Sequence, residues 1–193
     1  MATFVDRYPD ESKVIQATFA VAFISLGIGA LFGVIQALHR TNVFRFIDSV
    51  DYYTLLTGHG VLLALVFTIF FLAGVFQWGV TESLDTPAPD IRLTWAWFGL
   101  MTAGATFAAV AILAGLFPEI PMSADVLYTF YAPLQAHPLF YVGLAMFIVG
   151  TWIAGADWFL SYRTWRRDNP DERIPLQTFM VLTTMIMWYV STL

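Results

Sequence analysis

Five long stretches without charged side chains dominate this sequence and constrain its fold more than any other feature. The hydrocarbon core of a bilayer is about 30 Å thick, so an α-helix needs about 20 apolar residues to cross it. We place the spans at about residues 14–38, 55–80, 93–117, 138–161 and 174–193, of which the fourth extends slightly beyond its charge-free interval, the one that ends at Asp157. Since these stretches lack the period-two alternation of membrane β-strands, they predict an all-α, polytopic transmembrane helix bundle.

The composition supports a membrane location and excludes several other classes of protein. Hydrophobic residues make up 59% of the chain and charged residues 12%, whereas soluble domains average about 45–50% and about 25%. The net charge of −5 disfavours nucleic acid as a partner, because phosphates require a basic surface. With no cysteine, any bound metal must be held by histidine, carboxylate or carbonyl groups.

The distribution of basic residues predicts how the chain is oriented. Seven Lys and Arg residues fall on the side of the amino terminus and two on the opposite side, so the positive-inside rule places the amino terminus in the cytoplasm of a cell-membrane protein. Residues 1–193 then form a single membrane-embedded region. The last span is still apolar at Leu193, so we expect a longer protein of which this chain is the front portion.

Small residues in the first and third spans predict close contacts between helices, because they let two backbones approach each other in lipid. They are Gly27, Gly29, Gly33, Ala103, Gly104, Ala105, Ala108, Ala109 and Ala111.

His59 is the candidate for cofactor chemistry. It lies about a turn inside the outer end of the second span, where an unpartnered polar ring would cost several kcal/mol. A neutral imidazole with one free nitrogen is a good axial ligand for haem iron, and the flanking Gly58 and Gly60 leave the helix surface bare. The residues alone also permit a His hydrogen-bonded to a neighbouring helix or to interfacial water.

The other histidines have a more ordinary interpretation. His39 closes the first span, and His137 precedes Pro138 in the outer loop, so both are typical of span boundaries. No mid-span carboxylate has a His three or four residues away, which excludes a di-iron or zinc helix motif. The aromatic outer loop, which includes Tyr128 and Tyr131, suits either an interfacial belt or a lid over a buried cofactor.

Four segments carry a resemblance to a known family. They are, in order, ALFGVIQAL, YYTLLTGHGVLLALVFTIFF, LYTFYAPLQAHPLFYVG and TWRRDNPDERIPLQTFM. Together they resemble the beginning of subunit I of a haem–copper terminal oxidase, and are most similar to the B-family, the ba-type cytochrome c oxidases. The resemblance extends over nearly the whole chain.

The resemblance implies a function for the full-length subunit. It implies a bundle of about a dozen transmembrane helices that passes electrons through a low-spin haem to a high-spin haem and copper, reducing O2 to water with proton pumping. His59 stands at the position of an axial ligand to the low-spin haem. Gln36 occupies the position where the related A-family oxidases often carry an Arg that faces that haem. Tyr128 matches a residue near the oxygen route and the high-spin haem, and Tyr131 is expected close by.

The same resemblance implies partners in the membrane: other oxidase subunits, including one like subunit II, and cytochrome c or a small copper protein as electron donor. This chain carries no copper-binding His pair, so the oxygen-reducing site is expected only in the full-length subunit. Three alternatives stay open: a nitric oxide reductase-like subunit, a small non-catalytic b-type cytochrome, and a structural membrane subunit.

Overall fold

The computed structural model describes residues 2–42, 47–117, 119–120 and 136–193, apart from the side chains of residues 49 and 50. Its helices are α1 (Phe4–Arg7), α2 (Pro9–Arg40), α3 (Ser49–Gly60), α4 (Thr68–Leu84), α5 (Ile91–Leu113), α6 (Pro138–Asp168) and α7 (Leu176–Thr192). A π-helix, Val61–Phe67, joins α3 directly to α4, and a 3₁₀ turn, Ala114–Leu116, ends α5. The described residues contain no β-strand.

The all-helical transmembrane prediction is confirmed. Among the described residues, four helical stretches are long and apolar enough to cross a bilayer: Pro9–Arg40, Asp51–Leu84, Ile91–Leu116 and Pro138–Asp168. The helix α7, with 17 residues, lies within the predicted fifth span. The helices are longer than the predicted apolar cores because backbone hydrogen bonding continues beyond the edge of the hydrocarbon. The helix α6, for example, has Arg166 and Arg167 in its last turn, where the helix dipole stabilises cations.

The chain divides into two compact units, and each unit takes segments from several helices. The first unit comprises Met1–Ala20, Phe70–Met101 and Ile148–Leu193; the second comprises Val21–Ile69 and Thr102–Phe147. In the first unit the rings of Trp97 and Trp158 lie 6.2 Å apart, and the Trp158 indole donates to Gln77 Oε1 at 2.9 Å. Large buried side chains with satisfied polar groups therefore form the core of this unit.

In the second unit, α5 and α6 cross at two glycines. A Cβ atom added to Gly104 would lie 2.5 Å from the Gly143 carbonyl oxygen, and one added to Gly143 would lie 2.6 Å from the Gly104 carbonyl oxygen. The backbones therefore touch, as expected of small residues at a helix crossing in a membrane. For Gly104 the predicted close helix contact is confirmed.

In the first unit, polar contacts tie the amino terminus to the end of α4. The guanidinium of Arg7 pairs with Glu82 at 2.7 Å and also with Asp85. The Tyr8 hydroxyl donates to the same Asp85 carboxylate at 2.7 Å. Since Arg7 and both carboxylates are partly exposed, the pairs position the segment more than they stabilise it.

The contacts of Tyr8 lead to a testable pH dependence. Burial, followed by the hydrogen bond to Asp85, raises the pKa of Tyr8 from 10.0 to about 12. Because the folded pKa lies above the unfolded value, the contribution to stability is complete below pH 10 and is lost as the pH rises through 12. We expect the absorbance titration of the unaltered protein minus that of Tyr8→Phe to contain one tyrosine with its midpoint near pH 12. A midpoint at the ordinary value of 10.0 would contradict the buried hydrogen bond.

Candidate haem-binding site at His59

The site is built on α3, which begins at a polar cap and places His59 near its other end. The Asp48 carboxylate accepts a hydrogen bond from the Asp51 backbone N–H at 2.8 Å and so caps the first turn. His59 follows about three turns later, two residues before the π-helix begins at Val61. π-Helical turns are often found at functional sites, and here the Thr68 hydroxyl reaches back five residues to the Leu63 carbonyl at 2.9 Å.

The His59 ring makes one hydrogen bond, which fixes its chemical form. Its Nδ1 lies 2.7 Å from the Gly29 carbonyl oxygen of α2. A carbonyl oxygen can only accept, so Nδ1 must carry the hydrogen, and the lone pair of the neutral ring is on Nε2. Within the described part of the chain, no side chain or backbone group hydrogen-bonds to Nε2. The half-buried ring is thus an imidazole with its ligating nitrogen unused.

Glycines on α2 and α3 create the room for this ring. A Cβ atom at Gly33 would lie 2.8 Å from Cε1 and 3.0 Å from Nδ1 of His59. At Gly29 it would lie 2.8 Å from Leu63 Cδ2, and at Gly58 it would lie 2.9 Å from the Phe32 ring. The two helices therefore approach closely enough for a side-chain nitrogen to reach a backbone oxygen.

The other predicted site residues have different outcomes. Gln36 is 6% exposed and donates through Nε2 to the Phe32 carbonyl at 3.1 Å. Its spacing of seven and three residues from Gly29 and Gly33 places it on the face of α2 that His59 contacts. Tyr128 and Tyr131 lie outside the described residues.

The remaining histidines take up positions at helix ends. The His39 ring lies 5.4 Å from the Tyr52 ring, and its buried Nδ1 has no hydrogen-bond partner in the described chain. The His137 Nδ1 accepts from the Leu139 backbone N–H at 3.2 Å, so it caps the start of α6. Across the described ranges, no three His, Asp or Glu residues gather into a metal site.

These features fit a haem held by a single bond from this chain. A haem iron is already bound by four porphyrin nitrogens, so one free imidazole nitrogen is sufficient here, whereas a bare metal ion would need more protein ligands. The expectation of a bare helix surface at both flanking glycines is wrong for Gly58, which packs against the Phe32 ring, whereas a Cβ atom at Gly60 would meet no atom within 4 Å. The donor set and the open glycine are thus compatible with a flat macrocycle.

Comparison with known proteins identifies the family. A profile of the family described as Cytochrome C and Quinol oxidase polypeptide I matches residues 13–193. The chain belongs to this oxidase family. It is 34% identical over 197 residues to cytochrome c oxidase subunit 1 of Thermus thermophilus, covering 97% of this chain and 33% of that protein. The oxidase chain therefore spans about a third of the length of this curated relative.

The structural comparison agrees. The chain matches a haem–copper terminal oxidase dimer solved by cryo-electron microscopy, with a TM-score of 0.82 and 32% identity over 93% of this chain and 30% of the other. This oxidase-family chain is thus related to oxidoreductases of the haem–copper type. Its long apolar helices are consistent with insertion in a membrane.

One buried polar residue of this oxidase-family chain was not singled out from the sequence. Asp157 ended the charge-free interval of the fourth span, yet it is 1% exposed in α6. The Thr94 hydroxyl and the Trp97 indole both donate to its Oδ2, at 2.8 and 3.2 Å. The signal was present, because a carboxylate inside a predicted span of 138–161 requires partners within the bundle.

Gly33 gives a prediction that tests haem ligation by His59. In the full-length subunit, Gly33→Ala should displace the His59 ring, because the new methyl group would lie 2.8 Å from Cε1. We expect a shifted or weakened low-spin haem band in the reduced-minus-oxidised spectrum. The matched control is Gly27→Ala on the same helix, where nothing lies within 4 Å. Identical spectra for the two variants would contradict the proposed role of Gly33.

Proposed function

We propose that this chain is the amino-terminal portion of the catalytic subunit of a B-family, ba-type haem–copper terminal oxidase, with His59 as an axial ligand of its low-spin haem. The observation that carries this proposal is the hydrogen bond from His59 Nδ1 to the Gly29 carbonyl, which leaves Nε2 free to bind iron. In the full-length subunit, electrons from cytochrome c or a small copper protein would reduce O2 to water, with proton pumping.

The residues of this chain have defined tasks in the proposal. The lone pair of His59 Nε2 would bind the iron, while the Gly29 carbonyl holds the ring and makes the imidazole more basic. When bound, a low-spin haem supplies one-electron transfer. By the resemblance, Gln36 would face the same cofactor from α2. Tyr128 and Tyr131, which lie outside the described residues, are proposed to serve the oxygen route. The second axial ligand, the high-spin haem and the copper belong to the rest of the subunit.

The proposed setting is a cell membrane with the amino terminus in the cytoplasm. The unequal distribution of Lys and Arg supports this orientation, since basic loops stay on the cytoplasmic side. Other oxidase subunits, including one like subunit II, would complete the complex. Anchoring at the interface is supported by aromatic rings near the ends of helices, such as Tyr162 stacked on Trp165 at 6.1 Å.

Metal content and substrate choice test the proposed reaction. We expect the purified full-length complex to contain both iron and copper and to consume O2 when reduced cytochrome c or a small copper protein is supplied. The haem content should include a low-spin centre whose spectrum depends on His59. Iron without copper, together with reduction of nitric oxide and no O2 uptake, would instead identify a nitric oxide reductase-like subunit.

A further inference from the structure

Asp157 is a buried carboxyl group in α6 that the proposed electron transfer does not use. The residue is 1% exposed, and both hydrogen bonds that it accepts fall on Oδ2, from Thr94 at 2.8 Å and Trp97 at 3.2 Å. The other oxygen, Oδ1, is buried and has no partner in the part of the chain that the structure describes. One oxygen is thus fully occupied by donors while the other is left bare.

The surroundings of Asp157 disfavour a permanent negative charge. No Lys or Arg of the described ranges pairs with it. The charged groups that act on it through space are the carboxylates Asp90, just before α5, and Glu11, near the start of α2. Burying an ionised carboxylate without a cation costs free energy, and a nearby group of the same charge increases that cost. A proton on Oδ1 removes the charge without disturbing the two bonds to Oδ2.

Asp157 also lies close to the exposed start of α5. Thr94 is the fourth residue of α5, which places it about 5 Å along the axis from the helix start. Its hydroxyl lies 2.8 Å from Asp157 Oδ2 and 3.5 Å from the Asp90 carbonyl oxygen, and Asp90 is exposed. The adjoining loop is held by Glu11, whose carboxylate accepts from the Ala88 N–H at 2.8 Å. The carboxyl group is therefore buried but close to an exposed segment of the first unit.

We propose that Asp157 is a proton-binding site that exchanges its proton with water at the end of the first unit where the 85–90 loop lies. In the loaded state the proton is bonded to Oδ1, and on release the O–H bond breaks and the proton passes to water. The carboxylate that remains is stabilised by the donors Thr94 and Trp97. No electron is transferred, and the site does not depend on haem ligation by His59.

Infrared difference spectroscopy of the full-length complex in membranes tests this proposal. We expect wild-type minus Asp157→Asn spectra to contain the C=O stretching band of one protonated carboxylic acid, and we expect the band to shift in D2O. Asp168→Asn is the matched control, because Asp168 is an exposed carboxylate at the end of the same helix and should give no such band.

The outcomes separate cleanly. Absence of the band would overturn the proposal and indicate an ionised Asp157, for example with a bound cation. A band that does not shift in D2O would show a trapped proton and overturn the exchange. If Asp157→Asn fails to fold, Thr94→Val provides the test, because it keeps the carboxyl group and removes one donor to Oδ2, which should change the band frequency. An unchanged frequency would contradict the arrangement.

Discussion

Replacing His59 by alanine in the full-length subunit should abolish the low-spin haem band while the protein still inserts into the membrane. The imidazole is the single candidate iron donor that the described helices supply at this position, and Nε2 is its free nitrogen. Without that bond the iron loses an axial ligand, so its low-spin state and its electron transfer are lost together. Reduced-minus-oxidised spectra should lack the band, and O2 consumption should fall to the background of the assay.

Two matched variants and one rescue make this result specific. His39→Ala and His137→Ala remove histidines at helix ends, one stacked near Tyr52 and the other capping α6, so both should retain the band. Adding free imidazole to the His59→Ala protein should restore part of the band by filling the vacated space. A normal low-spin spectrum in assembled His59→Ala protein would refute the assignment of this ligand.

Gly104→Ala is expected to have the largest effect on stability. The added Cβ would lie 2.5 Å from the Gly143 carbonyl oxygen and 2.6 Å from the Phe147 backbone nitrogen. Both are backbone atoms of α6, so no side-chain rotation can relieve the overlap and the two helices must move apart. Overpacking of this kind typically costs about 1–3 kcal/mol, and occasionally more. Thermal unfolding in detergent should show a lower midpoint than for the unaltered chain.

The control for this experiment lies on the same helix. Gly99 has no atom within 4 Å of an added Cβ, so Gly99→Ala should be neutral or stabilising by up to about 1 kcal/mol through its higher helix propensity. A shared midpoint for Gly104→Ala and Gly99→Ala would contradict the backbone contact between α5 and α6.

The membrane-spanning helices and the need of His59 for a polar partner could be predicted from the sequence because each depends on a strong local signal. Absence of charge over more than 20 residues has one common physical meaning, and a lone histidine in such a stretch requires a partner. The identity of that partner could not be predicted. Gly27, Gly29 and Gly33 look equivalent in the sequence, yet Gly27 faces open space whereas the other two contact α3 or the π-helix.

Other features depend on packing between distant segments and leave little local trace. The π-helix has the sequence VLLALVF, which suits an ordinary α-helix equally well. The burial of Asp157 depends on two donors that are some 60 residues away in the chain, at Thr94 and Trp97. Such pairings arise from the tertiary arrangement, so single-sequence patterns indicate only that some partner is needed.

The hydrogen-bond acceptor for His59 is a main-chain oxygen, and this limits how mutations can change the electronic properties of an iron bound to the ring. A carboxylate or amide in that role could be lost through one codon change, whereas the carbonyl of residue 29 persists under any substitution that preserves the helix. The basicity of the imidazole, and with it the reduction potential of an iron bound to it, then depends on the position of the α2 backbone. Substitutions at residue 29 should change the basicity of the imidazole through the spacing of α2 and α3, and not through the chemistry of the acceptor.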